Sequence, residues 1–194
     1  ESATLLANQN TGIINVNGNE GVGIKGTDFS NITNNGQINV NRAGTGIYAT
    51  NSSNVNNYGD MTIAMGTGIL LDAQSSLSNH ATLNITEGGR GIASYNPTVV
   101  NEATGMISAS RSDQVVLAQS LSHAIDVSDA AIYSNHSAVS NLGGISALNG
   151  NGIVLENNST LTNEGTISAG NIGVYGNAST IYNNGVIESA DIGM

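Results

Sequence analysis

One short phrase recurs along this chain at a nearly fixed interval, and that interval restricts the fold more than any other feature. The phrase is Asn-x-Gly-x-Ile-x-Val. It reads Asn34-Asn35-Gly36-Gln37-Ile38-Asn39-Val40, then Asn57-Tyr58-Gly59-Asp60-Met61-Thr62-Ile63, and returns at residues 163–169. Degenerate copies run from Asn79 to Ile85 and from Asn141 to Ala147. A second phrase, Gly-x-Gly-Ile, follows at Gly21, Gly44, Gly66, Gly89 and Gly150. A third, rich in Ser and Thr, places Val55, Leu77, Val139, Leu161 or Ile181 two residues before the next Asn. From Asn34 onward the Asn-to-Asn intervals are 23, 22, 22, 40, 22 and 20 residues.

A repeat of this length that holds three short alternating segments and recurring Gly describes three strands joined by turns. Alternation puts Ile38 and Val40 on one face and Asn39 on the other. Such a unit cannot bury its apolar face alone, but copies stacked about 4.8 Å apart share one core. The expected fold is therefore all-β: a parallel β-helix, right-handed by the usual hand of parallel crossovers. It has about eight coils of three strands, starting near Gly12, Gly36, Gly59, Ala81, Gly105, Gly143, Gly165 and Gly185, and a rod length of about 40 Å. Leucine-rich repeats would need more Leu and usually a helix. Calcium-binding nonapeptides would need Gly-Gly-x-Gly-x-Asp, which never occurs. Residues 1–194 read as a single β-helical segment, with Asp191 to Met194 matching the start of another second-phrase strand, as in a piece of a longer solenoid.

The 40-residue interval implies an insertion near residues 110–137, with Ile107 and Ala109 holding the first strand, Ile125 and Val127 the second, and Val139 the third. The insertion gathers Arg111, Asp113, His123, Asp126 and Asp129, the densest titratable set in the chain. Insertions on repeat rods often lie on the binding face, so these five are candidate partner-binding residues. A tolerated surface loop is the competing reading. Ser120 or Ser122 with His123 and Asp126 spells a triad only in sequence, and triads are defined by geometry. No Gly-x-Ser-x-Gly elbow occurs.

Composition narrows the function classes. There are 14 acidic and 4 basic residues, a net charge of −10. That argues against nucleic acid, which requires clustered Lys and Arg. No apolar run nears the roughly 20 residues of a spanning helix, so direct membrane insertion of this segment is not expected. With no Cys, neither disulfides nor thiolate metal sites can form. His80 and His136 have no converging ligands in sequence, so no metal or other cofactor is expected. The triplets Asn-x-Ser/Thr at Asn31, Asn84, Asn135 and Asn158 follow from composition.

Two outward columns can be read off the strands. The first, Asn15, Asn39, Thr62, Asn84, Ser108, Ser146, Ser168 and Glu188, is a polar ladder with one acid. The second, Lys25, Tyr48, Leu70, Ala93, Asp126, Val154 and Tyr175, is apolar or aromatic where water-facing positions would be polar. Exposed apolar stripes mark interaction surfaces, and Tyr favours interfaces and sugar faces. Tyr48, Leu70, Val154 and Tyr175 are therefore candidate ligand-binding residues, unless other chain covers them. Neither column pairs two acids on adjacent coils as glycoside hydrolysis requires.

The two phrases, in a Cys-free chain rich in Asn (29), Gly (25), Ser and Thr, resemble the passenger domains of Gram-negative autotransporters (type V secretion), above all the adhesin group. The resemblance covers the chain apart from the insertion. It implies a right-handed β-helix exported through an outer-membrane barrel to the cell surface or beyond. The Gly-Asp-Ser-Gly motif of the protease subgroup is absent, so a non-enzymatic passenger is expected. The implied function is adhesion to a host protein or glycan, or self-association between cells, as in biofilms. Two alternatives stand beside it: a secreted ligand for a host receptor, and a carbohydrate-active β-helix enzyme that would depend on Asp126 or Asp129.

Overall fold

The computed structural model describes residues 4–110 and 130–194. All regular structure among them is strand, and every pairing is parallel and in register. Three sheets run along the stack. Sheet A holds β1 (Leu5–Asn8), β4 (Asn31–Asn34), β7 (Asn54–Asn57), β10 (Ser76–Asn79), β13 (Thr98–Asn101), β16 (Ala138–Asn141), β19 (Thr160–Asn163) and β22 (Thr180–Asn183). Sheet B holds β2 (Ile13–Val16), β5 (Gln37–Val40), β8 (Met61–Ile63), β11 (Thr82–Ile85), β14 (Met106–Ala109), β17 (Gly144–Ala147), β20 (Thr166–Ala169) and β23 (Val186–Ser189). Sheet C holds β3 (Val22–Gly26), β6 (Gly44–Ala49), β9 (Gly66–Asp72), β12 (Arg90–Tyr95), β15 (Ala130–Asn135), β18 (Asn151–Glu156) and β21 (Val174–Asn177).

Each coil contributes one strand to each sheet in the order A, B, C. The three phrases of the sequence are these three strands, and the architecture is a parallel β-helix of about eight coils. Ile192 bridges Ile172 in parallel as the sheet C pattern begins again.

Alternation sends one residue in two inward, and these form a single core. Ile38, Met61, Leu83, Ile107, Ile145 and Ile167 stack on the sheet B side, Ile47, Ile69, Ile92, Ile132 and Ile153 on the sheet C side, and Val55, Leu77, Val99, Val139 and Leu161 on the sheet A side. Each buried aliphatic side chain contributes about 1.5–3 kcal/mol relative to exposure. Like residues lie over like, so each coil repeats the packing of its neighbour.

The phrase-opening Asn does more than end a strand. Asn34, Asn57, Asn79, Asn101, Asn141 and Asn163 are all fully buried. Each side-chain Nδ2 donates to the Oδ1 of the next coil's Asn, at 2.8–3.0 Å from Asn8 through to Asn183. Most also donate to backbone carbonyls at the corner between sheets A and B, as Asn34 does to Gly59 and Asn79 to Ala81. An amide has two donor hydrogens and an acceptor oxygen, so it can bond the next amide and a backbone carbonyl at once, which a hydroxyl with one donor or a carboxylate with none could not.

Serines line the corner between sheets C and A in the same way. The N–H groups of Ser30, Ser53 and Ser137 donate to the Oγ of Ser53, Ser75 and Ser159, at 3.1–3.3 Å. The chain's single proline, Pro97, occupies this column between Ser75 and Ser137. It supplies no Oγ, and the Ser75 N–H turns to the Asp72 carbonyl instead (3.3 Å). Pro needs no acceptor for an N–H of its own, so the column tolerates it. Ser134 Oγ is the one buried side-chain polar atom without a partner among the described residues.

The structure corrects the insertion. Residues 130–135, placed outside the rod by the expected 110–137 boundary, form β15, with Ile132 between Ile92 and Ile153. β15 fills the second-strand place of this coil, expected for Ile125 and Val127, which lie outside the described residues. The sequence signal failed because Ala130-Ala131-Ile132 stands where other coils write Gly-x-Gly-Ile. Ala131 fits because its inward methyl is buried in the core, so the Gly that marked the phrase elsewhere is missing. Residues 111–129 interrupt the repeat between Ser110, after β14, and Ala130.

Candidate functional site

Sheet C carries the chemistry on its outer face. In-register pairing makes one straight column of Lys25, Tyr48, Leu70, Ala93, Tyr133, Val154 and Tyr175. The structure thus aligns Tyr48 beside Leu70 and Val154 beside Tyr175, as the repeat required. Asp126, expected in this column, lies outside the described residues. Tyr133 takes that position, an aromatic residue that the displaced strand assignment concealed.

Exposure along the column departs from expectation. Tyr48, Leu70 and Tyr175 are half-buried, but Val154 is fully buried (0 %). It packs with Ala130 and Tyr133, and Tyr175 lies against them, in an apolar cluster separate from the core. Val154 is therefore a packing residue and cannot meet a ligand directly. Arg111, Asp113, His123, Asp126 and Asp129 lie outside the described residues.

Tyr133 is the hub of a polar and aromatic network. Its hydroxyl donates to Glu156 Oε2 (2.8 Å) and accepts from Asn135 Nδ2 (3.2 Å). Tyr95 lies against its ring at 5.6 Å and a tilt of 57°, and the Arg90 guanidinium sits 5.6 Å from the ring centroid. Such edge-tilted rings and cation–ring contacts are each worth about 1 kcal/mol. A lesser copy of the second contact occurs at Lys25 and Tyr48, also 5.6 Å apart.

Burial raises the Tyr133 phenol above its ordinary value of 10.0, and the Glu156 carboxylate adds to the shift while the Asn135 amide opposes it. A phenol with a raised folded-state pKa supports the fold below its unfolded value and loses that support as pH rises through the folded one. Its contribution is thus complete at neutral pH and disappears above about pH 10. In an ultraviolet alkaline titration, one phenol should ionise late, above the ordinary value. Tyr133→Phe should remove that late step; a late step that survives the substitution would contradict the assignment.

At the end of the strands, the corner between sheets C and A forms two open, contiguous grooves. One is lined by Asp72, Tyr95, Asn96, Asn135 and His136, the other by Phe29, Asn51, Ser52, Ala73, Gln74 and Asn96. Asn96 joins them. The corner is built from left-handed residues, with Phe29, Ser52, Gln74, Asn96 and His136 all at φ between 51° and 66°. This geometry turns successive side chains outward at one-coil spacing. Neither the grooves nor the Asn and Ser ladders are legible in the sequence. The pairs Asp28-Phe29, Asn51-Ser52 and Ala73-Gln74 share no residue type that would announce a common corner.

The outer face of sheet A is different in kind. Two positions from each of its eight strands face outward, and none bears a charged side chain. Hydroxyls and amides predominate and bond along the column, as from Asn54 Nδ2 to Asn31 Oδ1 (3.2 Å) and from Ser76 Oγ to Asn54 Oδ1 (2.6 Å). Tyr58 and His80 stack at the opposite corner, 4.5 Å apart. No group of three or more His, Asp or Glu among the described residues could hold a metal ion, and no helix among them is long and apolar enough to cross a membrane. No known protein family matches the chain, and no curated protein or solved structure matches it either.

Proposed function

We propose that this chain is an adhesion module of a bacterial cell surface, a rigid β-helical rod that attaches its bearer to a host or matrix surface or to a second cell. The observation that carries the reading is the outer face of sheet A. In-register stacking holds sixteen outward positions, two from each of eight strands, in straight columns with no charged group among them. Each hydroxyl or amide offers a weak hydrogen bond, and a rigid array adds such bonds without new ordering cost. The absence of Cys and the resemblance to autotransporter passengers support export through the outer membrane and display outside the cell. Tyr48, Leu70 and Tyr175, half-exposed on sheet C, are proposed to add apolar contact to the same attachment.

Beads coated with the protein test this directly. They should bind cultured epithelial cells, or clump with one another, about tenfold above albumin-coated beads, because many copies act together. Asn31→Lys, Thr98→Lys and Thr180→Lys, combined on separate coils, place three charges on the uncharged face and should abolish the effect. Coated beads that neither bind nor clump would end the proposal. Cell binding without clumping identifies a host ligand, and clumping alone identifies self-association.

A further inference from the structure

We propose that the corner between sheets C and A is a binding trough for an extended, uncharged oligosaccharide, lying along the rod axis with Phe29 and Tyr95 as its two stacking platforms. The inference takes its setting from the adhesion reading but rests on its own observations.

The two grooves share Asn96 and together span five successive corners. Successive corners are about 4.8 Å apart, close to the length of one pyranose unit, so consecutive coils can address consecutive sugars. Phe29 is 52 % exposed and Tyr95 38 % exposed, and each offers a ring to the apolar face of a sugar. Between and beside them stand Gln74, Asn96, Asp72 and Asn135. Planar amides and a carboxylate of this kind pair with vicinal hydroxyls as both donors and acceptors. The Asn96 side chain sits at the junction of the two grooves, where it can address either half.

Phe29 supplies a second observation. It adopts φ 63°, a conformation that is an outlier for a bulky residue and costs about 1–2 kcal/mol. Gly or Asn would hold the same turn without that cost. Its ring stands about half in water at a position whose backbone favours a smaller residue, the pattern of a side chain kept for contact.

Charge selects among ligands. Among the described residues, Asp72 is the one carboxylate lining the channel and no Lys or Arg lines it, and the whole chain carries −10. Sulfated or uronic-acid chains would be repelled; neutral sugars would not.

The test is an array of immobilised neutral oligosaccharides (glucans, galactans, N-acetylglucosamine oligomers and fucosylated lactosamines) with heparin as the anionic arm. The protein should bind one neutral class and not heparin. Phe29→Gly relieves the backbone strain, so it should keep or raise Tm while weakening binding about tenfold. Tyr95→Ala should weaken binding by a similar factor, and saturation transfer from the bound sugar should then be lost. Binding confined to heparin, no neutral signal above the Tyr95→Ala background, or binding that survives both substitutions overturns the proposal. Coated beads that still attach to cells while the array stays blank would remove the trough and leave the adhesion reading in place. An array signal without bead attachment would do the reverse.

Discussion

Asn101→Ala should destabilise the rod by about 3 kcal/mol, more than any single exposed polar substitution, because it breaks a buried column of amides in the middle. Asn101 Nδ2 donates to Asn141 Oδ1 (2.9 Å) and to the carbonyls of Gly105 (3.2 Å) and Gly144 (3.3 Å), and its own oxygen accepts from Asn79 (3.0 Å). Removing the amide takes the donor from buried Asn141 Oδ1 and an acceptor from buried Asn79 Nδ2. It does so between coils joined across a sequence separation of 40 residues. Stability of a stacked repeat depends on each nearest-neighbour interface, so urea unfolding followed by circular dichroism should also broaden.

Asn101→Asp separates hydrogen bonding from shape. The carboxylate would face Asn141 Oδ1 and the same carbonyls, all acceptors, so burial and surroundings raise its folded-state pKa above the unfolded value of about 3.9. Such a group favours the fold only below the unfolded value and opposes it increasingly as pH rises. The deficit of this variant should be greatest at neutral pH and shrink near pH 4, where the protonated acid can donate to Asn141. A pH-independent deficit, or none, would show that the amide column is not what holds these coils together.

Gly165→Ala should cost about 3 kcal/mol or more, at the upper end of overpacking effects. A Cβ there would lie 2.1 Å from the Gly143 carbonyl oxygen and 2.9 Å from the Gly143 nitrogen. Both are backbone atoms of the coil above and cannot swing aside. Gly88→Ala is the matched comparison: its φ is +86°, but an added Cβ meets nothing within 4 Å. It should lose only about 1 kcal/mol of backbone strain. Equal losses for the two would mean that close approach between coils does not set the role of Gly165. Coil four shows how an alanine is accommodated. Where the N–H groups of Gly59, Gly165 and Gly185 each donate to an Asn carbonyl (2.9–3.0 Å), at Ala81 only the preceding His80 N–H does so (2.8 Å).

The parts of the site legible in the sequence are those set by period two. Tyr48, Leu70 and Tyr175 had to face outward once Ile47, Ile69 and Val174 faced inward. Register locking then placed them in one column, as observed. The sequence pattern points to Asp126 for that column and hides Tyr133 for one reason. Both depend on where the chain re-enters the stack after the insertion, and the Gly that marks re-entry elsewhere is Ala131 here. Val154 was expected to be a contact residue, but outward direction is not exposure, and its burial beside Tyr133 and Tyr175 was invisible to alternation.

The repeat length, the alternation and the recurring Asn and Gly determined by themselves that this chain stacks as a parallel β-helix of about eight coils. Those are local constraints, and every copy states them again. Tertiary structure alone decided which polar residues turned inward to form the Asn and Ser columns, which outward residues stayed in water, and how Phe29, Asp72, Tyr95 and Asn135 came to share one corner. The physical reason is distance: these contacts join residues one or more coils apart. A hydrogen bond or groove between coils exists only once register and corner geometry fix both partners in space.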